Sequence, residues 1–296
     1  MERRTFLTGI GALGAAATLT RLKAPTSPPP RPWRKACGIG MVGEGDSLLA
    51  KFKLLKEVGY DGIELDAPNG FSAQEVVDAR EASGLLVHAV VDSEHWGKPF
   101  NHPDPKVRAE GVKALERAIR DAKAYGADTV LVVPAVVNKE MPYAAAWDLS
   151  RAEIGRVVPL AKEQQVALAI EEVWNEFLFS PLEMARYVDS FASPFVQAYF
   201  DVGNVLRFGW PEHWIAALGA RVRRVHVKEF SRKKMNEEGL WAGFNVELHE
   251  GDNDWPAVAK ALDAVQYRGW LTAEVGGGGR ERLARVAKDL DRIIQG

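Results

Sequence analysis

Residues 36–296 are predicted to fold as one (β/α)8 barrel, and three observations predict it. From Ala36 onward, short runs of β-branched and other apolar residues alternate with longer amphipathic stretches, the pattern of parallel strands joined by helical crossovers. Eight such units can be counted, in a length close to the roughly 250 residues typical of this barrel. No Gly-rich dinucleotide fingerprint follows the first strand, which argues against a doubly wound open sheet.

The strands are expected at Ala36 to Met41, Gly62 to Leu65, Leu85 to Val91, Thr129 to Val133, Ala167 to Glu171, Gln197 to Asp201, Val222 to Val227 and Trp270 to Val275. Between them lie helical faces. Leu48, Phe52, Leu55 and Gly59 share one, and Val112, Leu115, Ala118, Ile119 and Ala122 share another, so both must pack on a sheet. Ser72 with Glu75, Ser150 with Glu153 and Ser180 with Glu183 have capping-box spacing and mark helix starts. Pro105 and Pro181 occupy first-turn positions, where a missing N–H costs little.

The amino terminus is of a different kind. Arg3 and Arg4 precede a weakly apolar run from Gly9 to Thr20, so residues 1–23 resemble a twin-arginine export signal and imply a periplasmic protein. That run is too short and too weakly apolar for a stable membrane span, so no membrane partner is expected beyond the export machinery. Residues 24–35, with Pro-Thr-Ser-Pro-Pro-Pro-Arg-Pro at 25–32, read as a stiff extended linker. The formal net charge of the chain is -2, and the signal carries four basic side chains against one acidic, so the remainder stands at -5. A mildly acidic domain has no basic surplus for a nucleic acid. The lone Cys37 can form no intramolecular disulfide and reads as a small buried hydrophobe.

Chemistry in this barrel sits where strands end and βα loops begin. The fifth to eighth strands each carry a metal-ligand type there: Glu171, Asp201, His226 and Glu274. Three carboxylates cannot stay ionised in one small cavity without a cation, because like charges in a low dielectric oppose ionisation. Oxygen-rich ligation with one imidazole suits Mn, Mg or Co better than a structural Zn, although metal availability can override that preference. Glu171 and Glu172 are adjacent and face opposite sides of their strand. If Ala167 and Ala169 face inward, so does Glu171, which is the preferred ligand.

The stretches Ala-Ile-Glu-Glu-Val-Trp-Asn (169–175), Tyr-Phe-Asp-Val-Gly-Asn (199–204), Val-His-Val-Lys-Glu-Phe (225–230) and Gly-Trp-Leu-Thr-Ala-Glu (269–274) resemble the sugar phosphate isomerase/epimerase family. These are xylose-isomerase-like TIM barrels that include ketose 3-epimerases, and the resemblance covers nearly the whole domain. It implies one Mn, Co or Mg ion on Glu171, Asp201, His226 and Glu274, with Glu171 and Glu274 as catalytic acid and base. The substrate would be a sugar that loses a proton alpha to its carbonyl to give an enediolate, and return of the proton would give epimerisation or aldose–ketose isomerisation.

Candidate substrate-binding residues on the same rim are His88, His95, Trp96, Asn204, Lys228 and Glu64, with Glu64 also readable as a buried paired carboxylate and Glu229 expected to face away. The stretch from Ser231 to Asp254 is the longest loop and reads as a lid or as a contact in a homo-oligomer. Gly276 to Gly279, ahead of a helix, is a place where such barrels can hold phosphate, but a flexible connection is the favoured reading because export points to an unphosphorylated sugar. Two other readings are an exported, non-catalytic sugar-binding barrel and a metal-dependent phosphodiesterase of endonuclease type. The second calls for a richer histidine cluster and a basic groove.

Overall fold

Short apolar strands that cannot bury both faces alone close into a ring in the structure, a computed structural model that describes residues 30–296. Eight strands, β1 (Arg34–Gly38), β2 (Gly62–Ala67), β3 (Leu86–Asp92), β4 (Thr129–Val132), β5 (Ala167–Glu171), β6 (Val196–Asp201), β7 (Val222–Val227) and β8 (Trp270–Ala273), pair in parallel and in sequence order. β8 pairs back onto β1, so no edge is left open. The expected export signal and the linker as far as residue 29 lie outside the described residues.

Nine helices among the described residues surround the ring: α1 (Leu48–Glu57), α2 (Ala73–Ser83), α3 (Pro105–Tyr125), α4 (Tyr143–Gln164), α5 (Pro181–Asp189), α6 (Pro211–Leu218), α7 (Arg232–Glu238), α8 (Trp255–Ala264) and α9 (Arg280–Gln295). α2 opens on a complete capping box between Ser72 and Glu75. α3 opens on Asp104 with Pro105 behind it, and α5 on Ser180 with Pro181.

Three local expectations differ from the structure. Ser150 does not start a helix: α4 already begins at Tyr143, and the buried Ser150 hydroxyl instead bonds the Tyr187 hydroxyl at 2.7 Å, tying α4 to α5. β1 begins two residues before Ala36 and stops at Gly38, because Arg34 and Lys35 pair with Trp270 and Leu271 of β8. The segment after β7 is not structureless, since Ser231 caps α7 by accepting from Lys234 N–H.

The apolar residues divide into two bodies. Outward-facing strand residues such as Leu168 and Ile170 join Phe52, Leu55, Leu115 and Ile119 in the shell between sheet and helices, all buried. Fully burying each is worth about 1.5–3 kcal/mol. Ala89, Leu131, Val133, Ala169 and Tyr199 form a smaller cluster inside the ring. Below it, Trp270 stacks on His88 with ring centroids 4.6 Å apart, and the buried Arg224 pairs with Asp128, so the amino-terminal end of the barrel is filled. The open end is the other one.

Candidate metal centre

β5 alternates Ala167, Ala169 and Glu171 on one side with Leu168 and Ile170 on the other. Ala169 belongs to the inner cluster, so Glu171 points into the barrel above it. Neighbouring strands then bring their ends alongside. Tyr199 pairs with Glu171 and Asp201 with His226, while the N–H of Glu274, one residue past β8, reaches Val227 O at 3.0 Å.

One potential ligand atom from each of Glu171, Asp201, His226 and Glu274 lies within 4.8 Å of the others. His226 Nδ1 is 2.7 Å from Glu171 Oε1, 3.2 Å from Glu274 Oε2 and 4.0 Å from Asp201 Oδ2. Lys228 Nζ stands 2.8 Å from Glu274 Oε2 and 3.1 Å from Asp201 Oδ2. Asp201 is fully buried. Its Oδ1 accepts from the N–H groups of Gly203 and Asn204, but its Oδ2 accepts no hydrogen bond despite the nearby ammonium.

The electrostatics describe an overcharged acidic cluster. Burial lifts the Glu171 carboxyl to about 7, against the pull of His226, and also raises Asp201 against Lys228. Partial desolvation opposes ionisation of Glu274, the half-exposed member of the four, but Lys228 and His226 outweigh it and hold the carboxyl at about 2. Desolvation works against a charged His226, yet Glu64, Glu274 and Glu171 together raise its pKa well above the usual range. An orphaned carboxylate oxygen and three acids around one imidazole nitrogen are the donor chemistry of a hard divalent cation, and the residues present fit one.

His226 Nε2 faces away from the cluster, 3.2 Å from Glu64 Oε1. The Tyr199 hydroxyl donates to Glu64 Oε2 at 2.5 Å. Glu64 is buried and engaged on both oxygens, although it also borders the cavity. Of the residues expected to bind substrate, it is therefore the one whose carboxylate is committed to the His226 ring and the Tyr199 hydroxyl. Glu172, the alternative to Glu171, sends Oε1 to the Asp201 N–H at 2.7 Å and lies outside the four-residue cluster.

A cavity of about 710 Å³ opens above these groups, and His95, Trp96, Asn204 and Lys228 are among the residues that line it. His88 is not. It lies early in β3, a layer below, where burial drives its pKa well down and its Nε2 is 3.1 Å from Thr272 Oγ1. Sequence reasoning passed over Trp174, which lines the cavity and donates Nε1–H to Asn204 O at 3.0 Å. Its position three residues after Glu171 was the available signal. Glu229 borders the cavity but lies outside the four-residue cluster, and its carboxylate accepts from Trp255 Nε1 and the His249 and Asn253 N–H groups, fixing the segment after β7.

The glycine run before α9 has a packing role. Gly43 N–H bonds Gly278 O and Gly278 N–H bonds Met41 O, each at 2.9 Å, so the turns after β1 and β8 lie backbone to backbone. The α9 amino terminus is engaged as well, with Glu44 Oε2 accepting from Arg280 N–H at 2.8 Å. Lys228 is the single lysine or arginine among the described residues that line the cavity, beside Glu64, Asp66, Glu171, Glu229 and Glu274.

A family model described as xylose isomerase-like TIM barrel matches residues 52–295. The chain is 25% identical over 234 residues to SgbU of Escherichia coli, a putative L-ribulose-5-phosphate 3-epimerase, covering 75% of this chain and 81% of that one. It is 26% identical over 264 residues to the L-ribulose-5-phosphate 3-epimerase UlaE of E. coli, covering 84% and 89%. Among solved structures, an L-ribulose 3-epimerase superposes with TM-score 0.73 at 18% identity, over 89% of this chain and 94% of that one. The 3-keto-D-glucoside 4-epimerase YcjR of E. coli gives 0.73 at 16% identity, over 88% and 98%. At these identities the structural likeness speaks for the fold.

Proposed function

Because the chain belongs to the xylose isomerase-like TIM barrel family, we propose that it is a divalent-metal-dependent sugar epimerase or isomerase acting on an unphosphorylated ketose or related sugar. The observation that carries this reading is the convergence of Glu171, Asp201, His226 and Glu274 to within 4.8 Å at the floor of a cavity. The names of SgbU and UlaE, which cover most of this chain, support epimerase chemistry.

Bound there, a divalent cation would polarise the substrate carbonyl and stabilise the charge left when the neighbouring carbon loses its proton. Glu171 ends β5 and Glu274 follows β8, so their carboxylates reach the floor from strands three apart in the ring. One takes the proton from the carbon alpha to the carbonyl and the other delivers a proton to its opposite face, which inverts the centre. Delivery to the adjacent carbon would isomerise instead. Lys228 and Asn204 stand beside the ligands, where they can bind hydroxyls, and His95 and Trp96 close the side above β3.

The lining supports a sugar without phosphate. A phosphate would meet one ammonium already paired with Asp201 and Glu274, and at α9 it would meet the Glu44 carboxylate. The same acidic lining disfavours a phosphodiester. The twin-arginine-like segment supports a location outside the cytoplasm, where sugar phosphates are scarce.

The test is metal analysis of the purified protein together with deuterium exchange from heavy water into a panel of unphosphorylated ketoses. Exchange is expected with metal and lost on chelation. Exchange that survives both Glu171→Gln and Glu274→Gln would defeat the two-glutamate mechanism.

A further inference from the structure

The cavity is chemically divided. Its floor is acidic, and its mouth is aromatic. Trp96 stands on the segment after β3 and Trp241 on the segment after β7, and in a closed ring of eight strands β3 and β7 are four apart, so the two indoles rise from opposite walls. Both are unusually open for tryptophan, at 54% and 65% exposure. A large aromatic surface left exposed at the rim of a concave site marks a binding surface more often than a packing accident.

The Trp241 wall is braced. Trp174 is fixed by its bond to Asn204 O, and the Arg207 guanidinium lies 5.0 Å from its ring centroid. Trp241 leans on Trp174, centroids 4.8 Å apart at 40°, and on Phe244 at 6.3 Å. One side of the indole is thus backed by other rings. On the opposite wall His95 meets Trp96 edge-on at 5.1 Å, and Ser93 Oγ and Asp66 Oδ1, 3.1 Å apart, are polar groups of the same lining.

We propose that the outer half of this cavity is a subsite, with Trp96 and Trp241 as its walls, for a second ring glycosidically joined to the sugar that reacts at the floor. The proposal rests on the sugar reading above and deepens it by naming the substrate class. About 710 Å³ is in the range that encloses drug-sized molecules of more than one ring. Rigid aromatic faces suit the apolar face of a pyranose or an aryl group, because they give contact area at little entropic cost. The reacting sugar must still carry a carbonyl. It is therefore either the reducing ketose end of a disaccharide or a glycoside with a ketone on its ring, and the latter implies an oxidation of a ring hydroxyl earlier in the reaction sequence.

The experiment uses the full chain loaded with Mn and reads equilibrium binding by isothermal titration for two pairs: lactulose against fructose, and phenyl against methyl 3-oxo-β-D-glucopyranoside. In at least one pair the two-ring ligand is expected to bind about tenfold tighter, and the pair that does so identifies where the carbonyl lies. Trp241→Ala and Trp96→Ala should each collapse that ratio to within about threefold, while Trp241→Phe retains most of it. Equal binding within both pairs overturns the proposal, as does a ratio that survives both alanine variants. A Trp241→Ala protein that keeps the ratio but changes its sedimentation would make the patch a subunit contact, which also overturns it. Deuterium exchange with the same ligands separates the two readings: tight, Trp241-dependent binding without exchange in any compound leaves the subsite standing and removes the epimerase.

Discussion

His226 Nε2 lies 3.2 Å from Glu64 Oε1, a contact from β7 to β2 that leaves His226 Nδ1 facing Glu171 at 2.7 Å. A carboxylate on the far nitrogen of a ligating histidine fixes both the tautomer and the ring orientation, and losing such a partner typically costs 10–100-fold in metal affinity. Glu64→Ala is therefore expected to weaken Mn binding by about 10–100-fold in a chelator competition. Glu64→Gln, which keeps a carbonyl oxygen for Nε2–H, should fall at the weak end of that range. An unchanged affinity in Glu64→Ala would show that the pairing has no part in holding the ligand.

Asp201 gives different predictions for the two states of the site. Without a cation it is a fully buried acid whose pKa burial raises even against Lys228, 3.1 Å from its Oδ2, so Asp201→Asn should leave the metal-free protein about as stable as the parent. With Mn at about 100 times its dissociation constant the parent should gain about 2.7 kcal/mol, and Asp201→Asn should lose most of that gain. Thermal unfolding with chelator and with Mn measures both. A metal-dependent shift that persists in Asp201→Asn would remove Asp201 from the ligand set.

Glu171 was legible because strand parity is local: two alanines and two bulky apolar residues assign the faces of β5, and the carboxylate follows. Depth along a strand is not written in parity. His88 faces inward as a rim residue would, but it belongs to a lower layer, which depends on how far β3 extends past it and on the stagger of its neighbours. The Glu64–His226 contact was illegible for a similar reason, since it joins residues 162 apart that only ring closure brings together. The aromatic wall lay partly in view. Trp241 and Phe244 lie in the long segment read as a lid, but their support comes from Trp174 on another loop.

Asp92, at the end of β3, carries a pH dependence separate from the metal centre. It is completely buried, its Oδ2 accepts no hydrogen bond, and desolvation raises its pKa to about 7. A carboxyl with a raised folded-state pKa favours folding while it is protonated. Its contribution is present in full below the unfolded pKa, about 3.8, and is lost as pH rises through about 7. Between pH 4 and pH 8 the parent should lose about 4 kcal/mol from this group, and Asp92→Asn should flatten that slope. Urea titrations at pH 5 and pH 8 provide the check. Equal pH dependence in parent and variant would mean that Asp92 is ionised throughout.

The close approach of the turns after β1 and β8 can be tested at one glycine with a neighbour as control. A Cβ on Gly277 would run into the backbone carbonyl and Cα of Met41, neither of which has a rotamer to relieve the clash. Adding one at Gly276 meets nothing nearer than an Arg282 nitrogen at 4.0 Å. Gly277→Ala should therefore cost about 1–3 kcal/mol, the usual price of overpacking, while Gly276→Ala stays within about 0.5 kcal/mol of the parent. Because Met41 and Gly276 both border the cavity, the displaced turn should also weaken ligand binding in Gly277→Ala beyond any effect of Gly276→Ala. Denaturant unfolding and ligand titration on the two variants decide it, and two alanines of equal cost would mean that the turns separate freely.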